Sequence, residues 1–367
     1  MTARIITIGD LQSSLSLNEH GDVLWLRSER LKSIYFTETG PFFTWRLFFR
    51  DETGPCPDWS LDSLEFSDES SKIVGRCGSI LVQVHVALDT YGWKWQVSLK
   101  NLSEKIVDAL EFELRQPSSL DNDLFCTIPF CAGWAIPFAS LEPGNQYSLH
   151  YPVQASMQWV SLYKQEQGIY FGIHDAEPLY KTLTVGKDGG TPFIRWRFPD
   201  LALNPGEEIN LPPVYLAAHS DSWRGAARIY RSWAAQFIHV PEVPKWLQKN
   251  PSWAWVGLKG QLAEEPWHDL TYLPAFSDQV ASFGVNLIQL TAYTEHGHDT
   301  LYPDYLPGTS VGGETALRAA VEIVHRQGRR MSIYVNGRVV DPASSIEVKQ
   351  RRDWSVRTGP EAAPYTE

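Results

Sequence analysis

Cysteine and methionine are scarce, with four and three residues in a chain of 367. Cys56, Cys77, Cys126 and Cys131 include no CxxC pair, which argues against a zinc ribbon or a thiol redox motif. A chain of this size can be held by its hydrophobic core without a disulfide framework, so the reading is four thiols in a reduced compartment. Basic residues are also short, 32 against 43 acidic ones, for a net charge of −11. Nucleic-acid binding rests on Lys and Arg neutralising phosphates, so the deficit argues against such a partner. No run of about 18 apolar residues occurs, and the opening Met-Thr-Ala-Arg-Ile-Ile-Thr-Ile-Gly-Asp lacks the basic-then-apolar layout of a secretion signal. The expected location is cytoplasmic, with no membrane partner. The GxxxxGK and GxGxxG signatures are missing too, and no cofactor is expected.

What the chain has in plenty is aromatic residues: 15 Trp, 15 Tyr and 16 Phe. They supply large flat apolar surfaces, with polar handles on Trp and Tyr, and most are expected in cores. Up to about residue 217 the periodicity is two, the mark of strands with one buried face. Ile80, Val82, Val84, Val86 and Leu88 alternate with Gln83 and His85, and Trp93, Trp95, Val97 and Leu99 with Lys94, Gln96, Ser98 and Lys100. Glu142-Pro-Gly-Asn145, Asp188-Gly-Gly190 and Asn204-Pro-Gly-Glu207 read as tight turns. Many short strands joined by such turns predict a large two-sheet antiparallel sandwich over residues 1–219.

The period changes at Asp221. Trp223, Ala226, Ala227, Tyr230, Trp233, Ala234 and Phe237 fall on one helical face, with Ser220 or Asp221 placed to cap it. Pro241 and Pro244 end the helix and stiffen a connector, so 220–249 reads as a connecting helix and linker. A third texture follows over 250–367: strands near 253–258, 285–290 and 331–335, with helices near 267–283 and 314–327 between them. That is the βαβ rhythm of a parallel sheet. A (β/α)8 barrel needs about 250 residues, so this stretch is either a small open sheet or the first three to four units of a barrel; the expectation is the second, a chain that stops inside a barrel and is poorly stable alone.

In parallel α/β architectures functional groups gather in the loops at the C-terminal ends of strands. The loop after the second strand is long, and its neighbour after the third is polar. Together they offer His296, His298, Asp299, Tyr302, Asp304, Asn336, Arg338 and Asp341. Carboxylates, amides and imidazoles suit vicinal hydroxyls, and an aromatic ring suits the flat side of a sugar. Trp255, on the first strand, is either such a floor or core packing. Phe130–Pro137 and Ser156–Trp159 are aromatic-rich and read as structural. His296, His298 and Asp299 also offer a metal set, weakened by the lack of a third His or Cys ligand in the other loops. The basic stretches Arg326–Arg330 and Lys349–Arg352 read as solvated surface.

Ser222-Trp-Arg-Gly-Ala-Ala-Arg-Ile-Tyr-Arg-Ser-Trp-Ala234, Gly284-Val-Asn-Leu-Ile-Gln-Leu290, Gly297-His-Asp299, Tyr302-Pro-Asp304, Gly312-Gly313 and Tyr334-Val-Asn-Gly-Arg338 carry a resemblance. In this layout the chain resembles bacterial glycosidase-like proteins that join a galactose-mutarotase-like sandwich to a TIM barrel, distantly similar to endo-alpha-N-acetylgalactosaminidases and alpha-galactosidases. The resemblance implies hydrolysis of an O-glycosidic bond by two carboxylates, about 5 Å apart in a retaining enzyme and wider in an inverting one. In the related barrels the nucleophile follows the fourth strand and the acid a later one, which places both beyond Glu367. Asp299, Asp304 and Asp341 are then carbohydrate-binding groups, Asp299 and Asp304 being the weak candidates for catalysis. Two alternatives stay open: a carbohydrate-binding or structural module without chemistry, and a metal-dependent hydrolase built on His296, His298 and Asp299.

Overall fold

A computed structural model describes residues 5–9, 13–29, 31, 33–36, 41–56, 59–116, 123–188, 191–239, 241–263, 265–337 and 339–355. The chain divides into two compact units, Met1–His239 and Val240–Glu367.

Among the described residues the first unit holds two antiparallel sheets of nine and ten strands. One runs from Ile5–Gly9 through Ser13–Asn18, Val23–Ser28, Phe43–Phe49, Val107–Arg115, Thr191–Phe198 and Lys181–Asp188 to Gln146–Tyr151, with Ser33–Phe36 paired to Val23–Ser28. The other runs from Trp134–Pro137 through Phe125–Ile128, Trp159–Lys164, Gln167–Ile173, Val214–Ser220, Gly92–Asn101, Ile80–Asp89 and Ser70–Cys77 to Trp59–Phe66, with Glu208–Asn210 on Gly92–Asn101.

Alternation decides which face each strand buries. Trp93, Trp95, Val97 and Leu99 are all essentially buried on Gly92–Asn101, and Ile80, Val82, Val84 and Val86 on its neighbour. The two sheets meet through one core, in which Phe43 of the first lies 4.9 Å from Trp95 and 5.5 Å from Phe171 of the second. Trp95 also donates its indole N–H to the Gly21 carbonyl at 3.1 Å, so a deeply buried polar handle is paired. Two of the three turns take the expected form: Asn145 N–H bonds the Glu142 carbonyl, and Glu207 N–H the Asn204 carbonyl. Gly144 and Gly206 stand at φ 85° and 86°, as a type II turn requires. Gly189 and Gly190, in the third, lie outside the described residues.

The cysteines depart from expectation. Cys56 and Cys77 form a disulfide, while Cys126 is a buried thiol and Cys131 an exposed one. The bond joins the end of Ser70–Cys77 to the segment beside Trp59–Phe66, which the sheet already brings close. Disulfides persist in oxidising compartments, so the pair runs against a reduced one. Among the described residues no helix is long and apolar enough to cross a membrane.

Helix α1 (Ser222–Ala234) packs Ala226, Tyr230, Trp233 and Ala234 onto Trp159, Tyr170, Tyr215 and Ala217 of the second sheet. It belongs to the first unit, and the division falls after it, at His239. Trp223 and Phe237, expected on the same face, are 41% and 49% exposed because they lie at the helix ends. The capping expectation also fails. Asp221 is the N-cap residue but sits in the left-handed region and makes no side-chain cap bond; its carboxylate takes Arg228 at 2.6 Å instead. Gly225 is needed there, since a Cβ would stand 1.8 Å from the Ser220 carbonyl oxygen.

The second unit opens with the short helix α2 (Lys245–Lys249). Its described strands β1 (Trp253–Gly257), β2 (Leu287–Thr291) and β3 (Arg330–Ile333) form one parallel sheet, in register Trp253–Leu287–Arg330. Helix α3 (Leu273–Ala281) links the first two strands and α4 (Gly313–Arg326) the last two. Val256, Ile288 and Leu290 bury one sheet face against Leu270, Leu273, Ala320 and Val324. The helix expected from about residue 267 begins later because Asp269 accepts the Thr271 N–H and caps a 3-10 turn, and Pro274 then occupies the first turn of α3. Helix α5 (Val348–Trp354) carries Lys349–Arg352. Trp253 and Trp255 point away from the helices and are 55% and 56% exposed, so neither is core.

Candidate functional site at the ends of the parallel strands

The rim is built where β2 and β3 end. After Thr291 the chain turns through Ala292, at φ 52°, into a loop that returns to α4 at Gly313. Its fold is set by short polar ties. Thr294 and Thr300 hydroxyls donate to the Gly297 carbonyl at 2.7 and 3.0 Å, and the Gly308 N–H donates to the Tyr293 carbonyl at 2.8 Å. Gly297 cannot carry a side chain: its φ is 90°, and a Cβ would stand 2.1 Å from the Gly260 carbonyl oxygen in the loop after β1. Glu295 accepts the Thr309 N–H and hydroxyl. Those bonds, the backbone amide foremost, hold its carboxyl below the usual carboxylate range.

Three predicted residues come together. Asp299, itself at φ 53°, receives Asn336 Nδ2 on one carboxylate oxygen at 3.2 Å and has His298 Nε2 3.3 Å from the other. A left-handed non-glycine residue costs about 1–3 kcal/mol and needs surroundings that impose it. Here the Asp299 N–H donates to the Tyr302 hydroxyl at 3.3 Å, and Tyr302 is buried. The His298 ring lies 5.0 Å from that of Tyr334, and its Nδ1 is buried with no hydrogen-bond partner among the described residues. Asn336 is fixed in turn by Tyr305, whose hydroxyl donates to the Asn336 carbonyl at 2.6 Å and accepts its N–H at 3.0 Å.

Asp304 and Asp341 serve loop geometry. Asp304 accepts the Ser345 N–H and hydroxyl, both at 2.6 Å. Asp341 accepts the Ala343 and Leu301 N–H groups, each at 2.7 Å, and those amides, Ala343 first, pull its carboxyl below the ordinary range. His296 is exposed on the loop and adds to that pull through its charge. Among the described residues no three His, Cys, Asp or Glu side chains are grouped to hold a metal ion. The Asp299 carboxylate is turned to Asn336 and His298, while His296 stands exposed on the loop. Arg338 lies outside the described residues.

A family model described as a domain of unknown function, DUF6259, matches residues 213–366. No curated protein matches the sequence. The alpha-N-acetylgalactosaminidase NagBb from Bifidobacterium bifidum, in complex with GalNAc, is similar in structure at a TM-score of 0.70 and 12% identity, covering 96% of this chain and 62% of that one. The GH36 alpha-galactosidase AgaB from Geobacillus stearothermophilus is similar at 0.51 and 12% identity, over 100% of this chain and 60% of that one. The chain thus spans about three fifths of the length of these glycosidases. The likeness is one of fold. A galactose mutarotase-like protein from Lactobacillus casei aligns at 0.45, too distant to carry an argument.

Lys259 was not among the candidates read from the sequence, and it joins Tyr305 and Tyr334 at the rim. Tyr334 was visible as part of the third strand and Tyr305 as part of the long loop, but nothing in their spacing showed that they would brace His298 and Asn336. A separate cavity of about 260 Å³ lies in the first unit beside α1, lined by Tyr91, His219 and Arg228 among others. His219 bonds Ser161 at 2.7 Å and Arg228 bonds Asp221, so these polar groups are already satisfied.

Proposed function

We propose that the second unit is the opening of a (β/α)8 glycoside-hydrolase barrel, and that its strand-end loops bind a saccharide through His298, Asp299 and Asn336. The observation that carries this reading is the constellation itself: an imidazole, a carboxylate and an amide joined at the C-terminal ends of adjacent parallel strands, where ligands of α/β sheets bind. The unpartnered Nδ1 of His298 belongs to the same argument, since an orphaned buried nitrogen calls for a partner, and a ligand hydroxyl supplies one once the ring turns. Exposed Trp255 offers an apolar ring surface on the neighbouring strand. The fold likeness to an alpha-N-acetylgalactosaminidase and to an alpha-galactosidase makes a galactose-configured sugar the first probe.

The described carboxylates favour binding over bond cleavage. A general acid needs a raised pKa, whereas Asp341 and Glu295 are pushed down by amide donors. The test is calorimetric titration of the chain with N-acetylgalactosamine, galactose and methyl alpha-galactoside. Saturable binding is expected for at least one, weakened tenfold or more by Asp299→Ala and by Asn336→Ala. No binding to any of the three sugars, or binding that ignores both substitutions, refutes the reading.

A further inference from the structure

Lys259 stands two residues beyond β1 and is 4% exposed. Its ammonium donates to the Glu295 carbonyl at 2.8 Å and the Ser310 hydroxyl at 3.3 Å. Both acceptors are neutral, and the Glu295 carboxylate is turned to Thr309, feeling Lys259 only through space. Removing an ammonium from water costs several kcal/mol before its partners repay it. A methionine of similar length would fill the same volume without that penalty, so packing alone does not account for the residue. What the ammonium adds is direction. Glu295 lies where the long rim loop departs and Ser310 where it returns, and Lys259 reaches both from a third segment.

Two neighbouring contacts reinforce the junction. The Leu262 N–H donates to the His296 carbonyl at 2.8 Å, and Gly297 lies against the Gly260 carbonyl. His298 and Asp299 follow at once in the chain. We infer that Lys259 is a positioning residue of the rim: its buried ammonium closes the neck of the 292–312 loop and so sets where His298 and Asp299 stand relative to Asn336. Its consequence for sugar affinity rests on the saccharide reading proposed above. The closing of the neck does not.

The experiment compares the full chain with Lys259→Met, Lys259→Arg and Ser310→Ala by hydrogen-exchange mass spectrometry, with and without N-acetylgalactosamine. Lys259→Met is expected to speed exchange over residues 294–304 at least tenfold while Leu287–Thr291 and Gly313–Arg326 keep their rates. Lys259→Arg, which retains donors for both acceptors, should return those rates to within threefold. Sugar affinity should fall tenfold with Met and recover with Arg. Unchanged exchange over 294–304 in Lys259→Met overturns the inference, as does acceleration spread equally over β2 and α4, the mark of an ordinary core lysine. Should Lys259→Met fail to fold, Ser310→Ala removes one acceptor from the surface side; about threefold faster exchange in 294–304 supports the inference and no change overturns it. If the unsubstituted chain binds no sugar, the saccharide reading falls and the exchange rates still decide the role of Lys259.

Discussion

Acid should destabilise the sandwich through two buried histidines. His174 is sandwiched between Tyr215, at 4.1 Å, and Trp233, at 4.6 Å, with Nε2 2.8 Å from the Tyr170 hydroxyl and Nδ1 unpartnered. Burial pushes its pKa down to about 3, and burial likewise takes His219 down to about 4. Both are held neutral in the fold, and in the unfolded chain both titrate near 6.5. The unfolded state therefore binds more protons between those values, so this part of the stability is complete above about pH 6.5 and drains away as the pH falls through the folded values. At pH 5 both folded values lie a unit or more below the pH, and the loss is set by the unfolded histidines. At 1.36 kcal/mol per pH unit, each costs about 2 kcal/mol at pH 5, or roughly 4 kcal/mol for the pair, against a few tenths at pH 7. The assay is guanidinium unfolding at pH 7 and pH 5, read by hydrogen exchange in Val214–Ser220 so that the sandwich is followed rather than the second unit. His174→Phe keeps the ring between its neighbours, leaves the Tyr170 hydroxyl unpaired at a cost of about 1–3 kcal/mol at both pH values, and should halve the pH dependence. Stability equal at pH 7 and pH 5, or a His174→Phe chain that keeps the full dependence, would show that these histidines are not held neutral by burial.

Lys181 is wholly buried, with its ammonium 2.8 Å from Asp175 and 2.9 Å from Gln158. Lys181→Met leaves Asp175 as an uncompensated buried charge and should cost about 3–5 kcal/mol, and adding Asp175→Asn should recover much of it; a loss under 1 kcal/mol in urea titrations would contradict the account. At the rim, Gly297→Ala meets both a backbone oxygen and a left-handed φ, whereas Gly284→Ala meets only the φ of 80°, with nothing within 4 Å. The second should cost about 1 kcal/mol and the first clearly more, seen as a lower melting temperature; equal shifts would mean that the Gly297–Gly260 approach is relaxed in solution.

The sandwich was legible because its information is local: a period of two over Ile80–Leu88 or Trp93–Leu99 fixes which side is buried, whatever strand lies opposite. The Cys56–Cys77 pairing was not legible, because it depends on how Trp59–Phe66 registers against Ser70–Cys77 and not on cysteine spacing. The cap at Asp221 failed for a related reason: its carboxylate found Arg228 seven residues on, and the backbone took a left-handed turn that residue type does not announce. At the rim, placement after strands sufficed to bring out His298, Asp299 and Asn336. It did not separate them from Asp304 and Asp341, since a carboxylate that ties loop amides and one that meets side chains of both loops have the same one-letter spelling. Lys259 was hidden because a single lysine in a strand-end loop looks solvated until a third segment closes over it.

The acids at this rim bear on what kind of site it can be. Hydrolysis by paired carboxyls needs one that stays protonated near neutrality, which requires burial or a like-charged neighbour with few donors. Glu295 and Asp341 have the opposite surroundings, rich in N–H groups, and remain ionised. Among the described residues the carboxyl that burial does push up is Glu111, and it lies in the sandwich with Arg195 at 2.9 Å and Arg197 at 3.3 Å. Those arginines oppose the effect of burial and occupy its oxygens. Proton donation to a leaving group is thus not a task for which any of these three carboxyls is arranged. The saccharide reading proposed above asks the His298–Asp299–Asn336 group only to hold hydroxyls, which needs oriented donors and acceptors and no raised pKa.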